Sequence, residues 1–195
     1  MMRHSRLFLV ALGALSLASC FGGKKVPPTL LTLTSSAPAP ASVNRAAAPG
    51  DAITIDVPVV PKEIATTRVP ALVGPTAVAY VKNIQWVETP DRLFQDLVQE
   101  TVVRTTNRVV LDPRQSALDP GLHLTGTLSR FGYDAQLGAV VVRYDGALST
   151  AGGAQVQTRR FEAQVPADGT ASTVGPALNA AANQVASEIA GWVGG

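Results

Sequence analysis

In Leu122-His123-Leu124-Thr125-Gly126-Thr127-Leu128-Ser129 the period of the apolar residues changes to two, which sets the architecture of the second half of the chain. Its leucines and glycine share one face of a strand, and its histidine, threonines and serine share the other. Two later segments, Val140–Leu148 and Gln155–Val165, alternate in the same way, and short turn-like pieces at 134–136 and 151–153 connect the three. This pattern predicts three antiparallel strands in a meander.

Two amphipathic helices are predicted, one before and one after this meander. The first begins with Thr89 as N-cap and Pro90 at the first helical position, and it continues to about Thr105. The second runs from about Thr173 to Val193. Each has one apolar stripe, formed by Leu93, Phe94, Leu97, Val98, Thr101 and Val102 in the first helix and by Val174, Leu178, Ala181, Val185, Ile189 and Trp192 in the second.

The remaining β-prone segments complete a mixed sheet. They are Thr29–Thr34, Ile53–Val57 with Val59-Val60, Thr67–Leu72, Val78–Trp86 and Arg108–Pro113. The Ile53–Val57 segment is apolar on both faces, which favours a central position, whereas Pro70 favours an edge position because proline has no N–H to donate. Residues 35–50 are predicted to form a loop. The expected fold class is α/β, with a mixed β-sheet flanked by helices, a C-terminal antiparallel meander and a terminal helix packed on the sheet.

The N-terminus has the layout of a secretory signal that ends at Cys20, the one cysteine of the chain. Arg3 and Arg6 precede an apolar run of about a dozen residues, which is too short to cross a membrane. Leu17-Ala18-Ser19-Cys20 resembles the lipobox of bacterial lipoproteins, which implies cleavage before Cys20 and attachment of diacylglycerol and an N-acyl chain to it. An ordinary secretory signal with an incidental cysteine, or a free buried thiol, is the alternative.

Three regions follow from this layout: a signal peptide at residues 1–19, the lipidated cysteine with a tether at residues 20–28, and a single domain at residues 29–195. Glycine, proline and lysine make up most of the tether. Its eight residues after Cys20 reach roughly 26 Å when fully extended. The domain is therefore expected to lie close to its membrane.

The composition of the mature chain argues against several functions. Removal of Arg3 and Arg6 from the 16 Lys and Arg leaves 14, which balance the 14 Asp and Glu. Without a basic surplus, no nucleic-acid partner is expected. One histidine, His123, remains, and a zinc site needs three or four His, Cys or acidic ligands. The protein is expected not to be an enzyme and to hold no metal and no cofactor other than the acyl groups on Cys20.

Aromatic and arginine side chains are the candidates for a partner interface, where such residues carry much of the binding energy. Trp86, just before the predicted first helix, is the first candidate, and Tyr80, Arg92, Phe131 and Tyr133 are the others. For Trp86 the alternative is a core or helix-capping contact.

The order of these features resembles the ABC-type transport auxiliary lipoprotein family, which includes PqiC-like lipoproteins. The resemblance rests on the lipobox, the segment Tyr80–Leu97, the strand Arg108–Asp112 and the terminal Leu178–Val193, and it spans about residues 29–193. It implies an α/β domain that accompanies an ABC transporter whose substrate-binding component has an MCE (mammalian cell entry) domain. It also implies transport of lipids between the inner and outer membranes, and a ring of copies that docks onto the MCE protein.

Other functions remain open on the residues alone: a regulatory or structural lipoprotein that activates a cell-wall enzyme, and a direct carrier of a hydrophobic ligand. The short tether favours the transport role over the regulatory one. The small residues of the last helix indicate close packing rather than a ligand cavity. Phe21 follows Cys20 where an aspartate is the usual inner-membrane retention signal, so the expected location is the outer membrane, facing the periplasm.

Overall fold

The structure is a computed structural model, and it describes residues 29–40, 44–119, 121–150 and 153–194. The predicted signal peptide, Cys20 and the tether lie outside these residues. The described elements are β1 (Ile53–Ile55), β2 (Arg68–Gly74), β3 (Ala77–Gln85), α1 (Pro90–Thr105), β4 (Val110–Leu111), a short 3-10 helix (Pro113–Leu118), β5 (Leu122–Asp134), β6 (Ala139–Ser149), β7 (Val156–Pro166) and α2 (Ala171–Gly194).

The seven described strands form one mixed sheet built around β5. Along one side, β5 pairs antiparallel with β6, and β6 pairs antiparallel with β7. Along the other side, the start of β5 pairs in parallel with β1 and its end pairs in parallel with β2, so two strands share one edge. Outside these, β4 pairs in parallel with β1 and β3 pairs antiparallel with β2.

The α/β fold class, the meander and the terminal helix are confirmed. β5 continues past Ser129 to Asp134, because a register shift between Leu128 and Arg130 keeps Phe131 on the apolar face. The turn to β6 ends at Gly138, whose φ of 60° is a conformation that glycine adopts readily. The period of two therefore predicted the strands, and the irregularity made β5 longer than the period alone indicates.

Both long helices pack on the same face of the sheet. All six residues of the predicted α1 stripe are buried, as are five of the six in α2, with Trp192 partly buried. The ring centroids of Phe94 and Tyr144 lie 5.5 Å apart, as do those of Phe161 and Trp192. A Cβ atom on Gly126 would lie 2.6 Å from the Tyr144 ring. This glycine of β5 therefore leaves room for the tyrosine of β6 in the core.

The segment Thr29–Thr34 is not a strand, contrary to the prediction. It forms one isolated parallel bridge, between Leu31 and Trp86. Beyond the bridge its backbone turns to helix α2, where Asn179 Oδ1 accepts the N–H of Thr34 at 2.9 Å. A side-chain amide of a helix thus takes the place of a neighbouring strand as the hydrogen-bond partner.

Two predictions of strand position had opposite outcomes. The central position of the Ile53–Val57 segment is confirmed for Ile53–Ile55, which lies between β4 and β5 with all three residues buried. The edge position inferred from Pro70 is wrong, because β2 lies between β3 and β5. The register of β2 on β3 shifts between Arg68 and Pro70, and such irregularities are positions at which a sheet tolerates proline.

Candidate docking surface

Two of the five predicted interface residues are buried in the core. Trp86 is 2% exposed and Phe131 is 1% exposed, and their ring centroids lie 5.5 Å apart. The backbone around Trp86 is held on both sides, since its N–H donates to Thr67 O and the N–H of Val87 donates to Leu31 O. The prediction of an exposed interface does not hold for these two residues, and the core contact is what the structure shows.

Tyr80 lies on β3, an outer strand of the sheet. The guanidinium carbon of Arg68, on β2, sits 3.5 Å from the centre of its ring, a cation–π contact that holds the ring in place. Tyr80 is partly buried, while its neighbours Ala77, Val78 and Ala79 are exposed. The ring is therefore reachable from solvent in a fixed position.

The two long outer strands, β3 and β7, differ in charge. Along β3 the described pairing is with β2 and, just past its end, with the bridge at Leu31. Lys82 is the single Lys, Arg, Asp or Glu of β3, whereas β7 has Arg159, Arg160 and Glu162. Charged side chains on an edge strand oppose pairing with another chain. The pairing of β3 with β2 is irregular between Tyr80 and Gln85, where Asn83 has a φ of 62°. Of the two edges, the regular first half of β3 is therefore the one open to strand addition.

A groove of about 630 Å³ runs between the β2–β3 hairpin and the start of α2. Its hairpin side is lined by Ala71, Val73, Ala79 and Val81. Tyr80 and Tyr133 both border the groove, so the structure brings these two predicted residues together. A Cβ atom on Gly169 would lie 2.9 Å from the Tyr133 ring, so this glycine lets the chain pass close to the tyrosine. Arg92, the fifth predicted residue, is exposed on α1 and does not line the groove.

The face of the sheet opposite the helices carries a ladder of ion pairs. These are Arg143 with Glu162, Arg160 with Asp145, and Arg130 with Asp134. The hydrogen bond from Arg160 lowers the pKa of Asp145, and the one from Arg143 lowers the pKa of Glu162. Burial by itself raises the pKa of Asp134, but the hydrogen bonds from Arg130 and from two backbone N–H groups outweigh it, so the pKa falls. These six charged side chains are therefore paired within the sheet.

Two asparagines fasten the segment Leu31–Ala37 along α2. Asn183 is buried; it accepts the N–H of Ser36 at 2.7 Å and donates to Thr34 O at 2.9 Å. Asn179 accepts the N–H of Thr34. Sequence reasoning missed this contact, although two asparagines at i and i+4 in an alanine-rich helix lie on one face and could have indicated it. The segment that leads to the tether is therefore fixed to the helix layer.

The described ranges offer surfaces for a binding partner. Within residues 29–40, 44–119, 121–150 and 153–194, no group of three His, Cys, Asp or Glu is placed to hold a metal ion. His123 is partly buried on the polar face of β5, opposite Ser149 of β6. None of the described helices is long and apolar enough to cross a membrane. The open edge of β3, with Tyr80 and the adjoining groove, is the arrangement best suited to a partner.

Two solved structures share this fold, and a third has a weaker similarity to it. A Xanthomonas campestris protein of the DUF330 family matches with a TM-score of 0.66 and 16% identity over 86% of this chain and 92% of that chain. A second structure, of an uncharacterized protein, matches with a TM-score of 0.59 and 13% identity over 85% and 97% of the two chains. A PelC dodecamer from Paraburkholderia phytofirmans matches with a TM-score of 0.43 and 14% identity over 83% and 94%.

Sequence comparison assigns the family. No curated protein matches the chain. The family model described as ABC-type transport auxiliary lipoprotein component matches residues 31–190, which include every described strand and all but the last residues of α2. The chain therefore belongs to the ABC-type transport auxiliary lipoprotein component family, whose members are envelope lipoproteins associated with ABC transporters.

Proposed function

We propose that this protein is a non-enzymatic accessory component of an ABC transporter that has an MCE-domain protein and moves lipids between the inner and outer membranes. The observation that carries the proposal is the family match over residues 31–190. Diacylglycerol and an N-acyl chain on Cys20 hold the domain at the outer membrane, facing the periplasm. An anchor of two or three acyl chains is close to permanent, whereas a single chain binds only marginally.

The MCE-domain protein docks on the edge of β3. An added strand would pair with the backbone of β3 and contact its alternate side chains. Tyr80, held by Arg68 at 3.5 Å, supplies a fixed aromatic ring beside that edge, and aromatic rings are common anchors of interfaces. This role needs an accessible edge and no catalytic group.

Copies of the chain also assemble into a ring on the MCE-domain protein. Sedimentation of the full-length protein, extracted from membranes in detergent, is expected to give a mass of several chains. A single-chain mass at all concentrations would contradict the ring and would leave docking on β3 untouched.

The anchor is tested by location. Cys20→Ala removes the thiol that receives diacylglycerol, so the variant is expected to move from the membrane fraction to the soluble periplasmic fraction. Complete retention of Cys20→Ala in the membrane fraction would contradict lipid anchoring at this residue.

Docking is tested by capture of the MCE-domain protein on the tagged, full-length protein in detergent. Tyr80→Ala removes the ring from the β3 edge and is expected to reduce capture strongly. Thr158→Ala is the matched control, because Thr158 is exposed on the other outer strand, β7. Failure of the unmodified protein to retain the MCE-domain protein would contradict the proposed function, and equal capture by the two variants would contradict the β3 site.

A further inference from the structure

Three connections lie together at one end of the sheet, here called the tip end: residues 74–77 between β2 and β3, 135–138 between β5 and β6, and 167–170 before α2. β2 and β5 run in parallel there, and the N–H of Ala135 donates to Leu72 O at 2.9 Å. The N–H of Ala167 donates to Gly138 O at 3.0 Å. The three connections therefore adjoin one another at this end of the sheet.

The tip end exposes aliphatic side chains and carries little charge. Val73, Val78 and Leu137 are 53%, 48% and 56% exposed. Asp168 is the single charged residue of the three connections, and its carboxylate accepts hydrogen bonds from two threonine hydroxyls. Val73 borders the groove beside α2, and Val78 lines a pocket on the other face of the hairpin. The hairpin therefore exposes aliphatic groups on both faces of its tip, and such groups mark a contact site for a protein or a membrane.

The opposite end of the sheet has a different composition. Charged residues gather there, around the start of β1, the short β4 and the 3-10 helix: Arg45, Asp51, Arg108, Asp112, Arg114 and Asp119. Arg108 Nε donates to Val193 O at 3.0 Å, at the end of α2. Leu118 and Val156 are exposed at this end, at 77% and 62%. They are therefore exposed apolar residues in a charged environment, with which the residues of the tip end can be compared.

The direction of the chain decides between a protein and a membrane as the occupant of the tip end. Leu31 pairs in parallel with Trp86, just past the end of β3, so the two described residues before it, Thr29 and Leu30, lie on the side of Leu31 that faces the tip end. After Leu31 the segment runs the other way, toward the C-terminus of α2. β3 has nine residues, at most about 30 Å of strand, because its pairing is irregular between Tyr80 and Gln85. The tether after Cys20 extends roughly 26 Å. A lipid surface that holds the acyl chains of Cys20 therefore lies within reach of the tip end.

From these placements we propose that the tip end contacts the lipid surface in which Cys20 is anchored, with Val73, Val78 and Leu137 in its headgroup region. This contact rests on the anchoring at Cys20 that is part of the proposed function. The acyl chains supply the affinity for the membrane. The tip end sets the orientation, so that β3 rises away from the lipid with its edge open to a partner.

The test places an environment-sensitive fluorophore at each end of the sheet. Val73→Cys and Leu137→Cys label the tip end, and Leu118→Cys and Val156→Cys are the matched controls at the opposite end. Lipidation consumes the thiol of Cys20, so each full-length variant carries one reactive thiol. The labelled proteins are reconstituted in vesicles of phosphatidylethanolamine and phosphatidylglycerol, with and without a lipid that bears a nitroxide near its headgroup. Circular dichroism confirms that each variant is folded.

A blue shift and nitroxide quenching are expected for the two tip-end labels and for neither control. Equal quenching at all four positions, or stronger quenching of the controls, would overturn the proposal. Tip-end labels that stay in water on vesicles but are shielded when the MCE-domain protein is added would assign this surface to a protein and would also overturn it. The vesicles without added MCE-domain protein test lipid contact alone. The result of this experiment is therefore independent of the capture experiment that tests the proposed function.

Discussion

On one face of β7, Phe161 packs against Tyr144 and Trp192 beneath the helices, and on the other face of the same strand, Arg160 pairs with Asp145 at the surface. Phe161 is 1% exposed, whereas the side chain of Arg160 is 63% exposed. Two neighbouring residues thus belong to two different environments.

This contrast shows which face of the sheet contributes most of the stability of the domain. Complete burial of a large apolar side chain contributes about 1.5–3 kcal/mol, whereas a solvent-exposed ion pair contributes about 0–1 kcal/mol. The helix-covered face therefore holds the fold together. The polar face and the outer edges can change with little effect on folding, which leaves them available for contacts with a transporter or a membrane.

The largest effect is expected for Phe161→Ala, compared with Arg160→Ala. Loss of the buried ring leaves a cavity between Tyr144 and Trp192, and the free energy of unfolding should fall by about 3–5 kcal/mol. Loss of the exposed guanidinium should lower it by about 1 kcal/mol or less. Urea unfolding followed by circular dichroism measures both. Similar losses for the two variants would show that the two faces do not differ in the way the burial indicates.

The second effect concerns the polar contact that fastens the N-terminal segment to α2. Asn183→Leu keeps the volume but leaves the N–H of Ser36 and the carbonyl of Thr34 without their partner, so a loss of about 1–3 kcal/mol is expected. Amide hydrogen exchange should also become faster in residues 31–37. Both follow because Asn183 is buried and makes both hydrogen bonds.

Gln164→Leu is the matched control on the polar face. Gln164 is exposed on β7, and its amide donates to Glu162 Oε1 at 2.9 Å. Surface substitutions of this kind usually change stability by about 0.5 kcal/mol or less. If Gln164→Leu were as destabilising as Asn183→Leu, the amide contacts of α2 would have no special role.

The sequence predicts the helix-covered face well, because burial imposes a period. The spacing of Leu93, Phe94 and Leu97 follows α1, and the alternation after Leu122 follows β5. The position of β2 in the sheet was not predictable in this way. Pro70 excludes a regular central strand, but the register shift beside it depends on how β3 and β5 meet β2, which is a tertiary property.

The candidate site was predictable only in part, since the type of a side chain does not reveal which way it faces. Trp86 and Tyr80 are both aromatic residues of one extended segment, yet Trp86 is in the core and Tyr80 borders the open groove. The contact of Asn183 with the N-terminal segment joins residues about 150 positions apart. The asparagine pair indicates a polar contact on α2, but the local pattern does not reveal which segment makes it. Cys20 stays a prediction from its lipobox, because it lies outside the described residues.

A smaller effect is expected from pH, and it belongs to the polar face. The pKa values of Asp145 and Glu162 are lowered in the folded protein by hydrogen bonds from Arg160 and Arg143. Both pairs therefore stabilise the fold above the ordinary carboxyl pKa of about 4, and this contribution is lost as the pH falls through the lowered folded values. Urea unfolding between neutral and acidic pH should show a decline that is smaller in Glu162→Gln. If Glu162→Gln lost as much stability on acidification as the unmodified protein, Glu162 would not contribute to the decline.

The smallest effect is the coupling between Arg143 and Glu162 themselves. A double-mutant cycle with Arg143→Ala and Glu162→Ala should give about 0.2–1 kcal/mol, because both side chains still reach solvent. They are 31% and 27% exposed, while Arg160 and Asp145 are 63% and 32% exposed, so the same cycle on the second pair should give a smaller value. A coupling as large as the loss in Phe161→Ala would mean that the polar face holds the fold together as well, and its surface would then be less free to serve a partner.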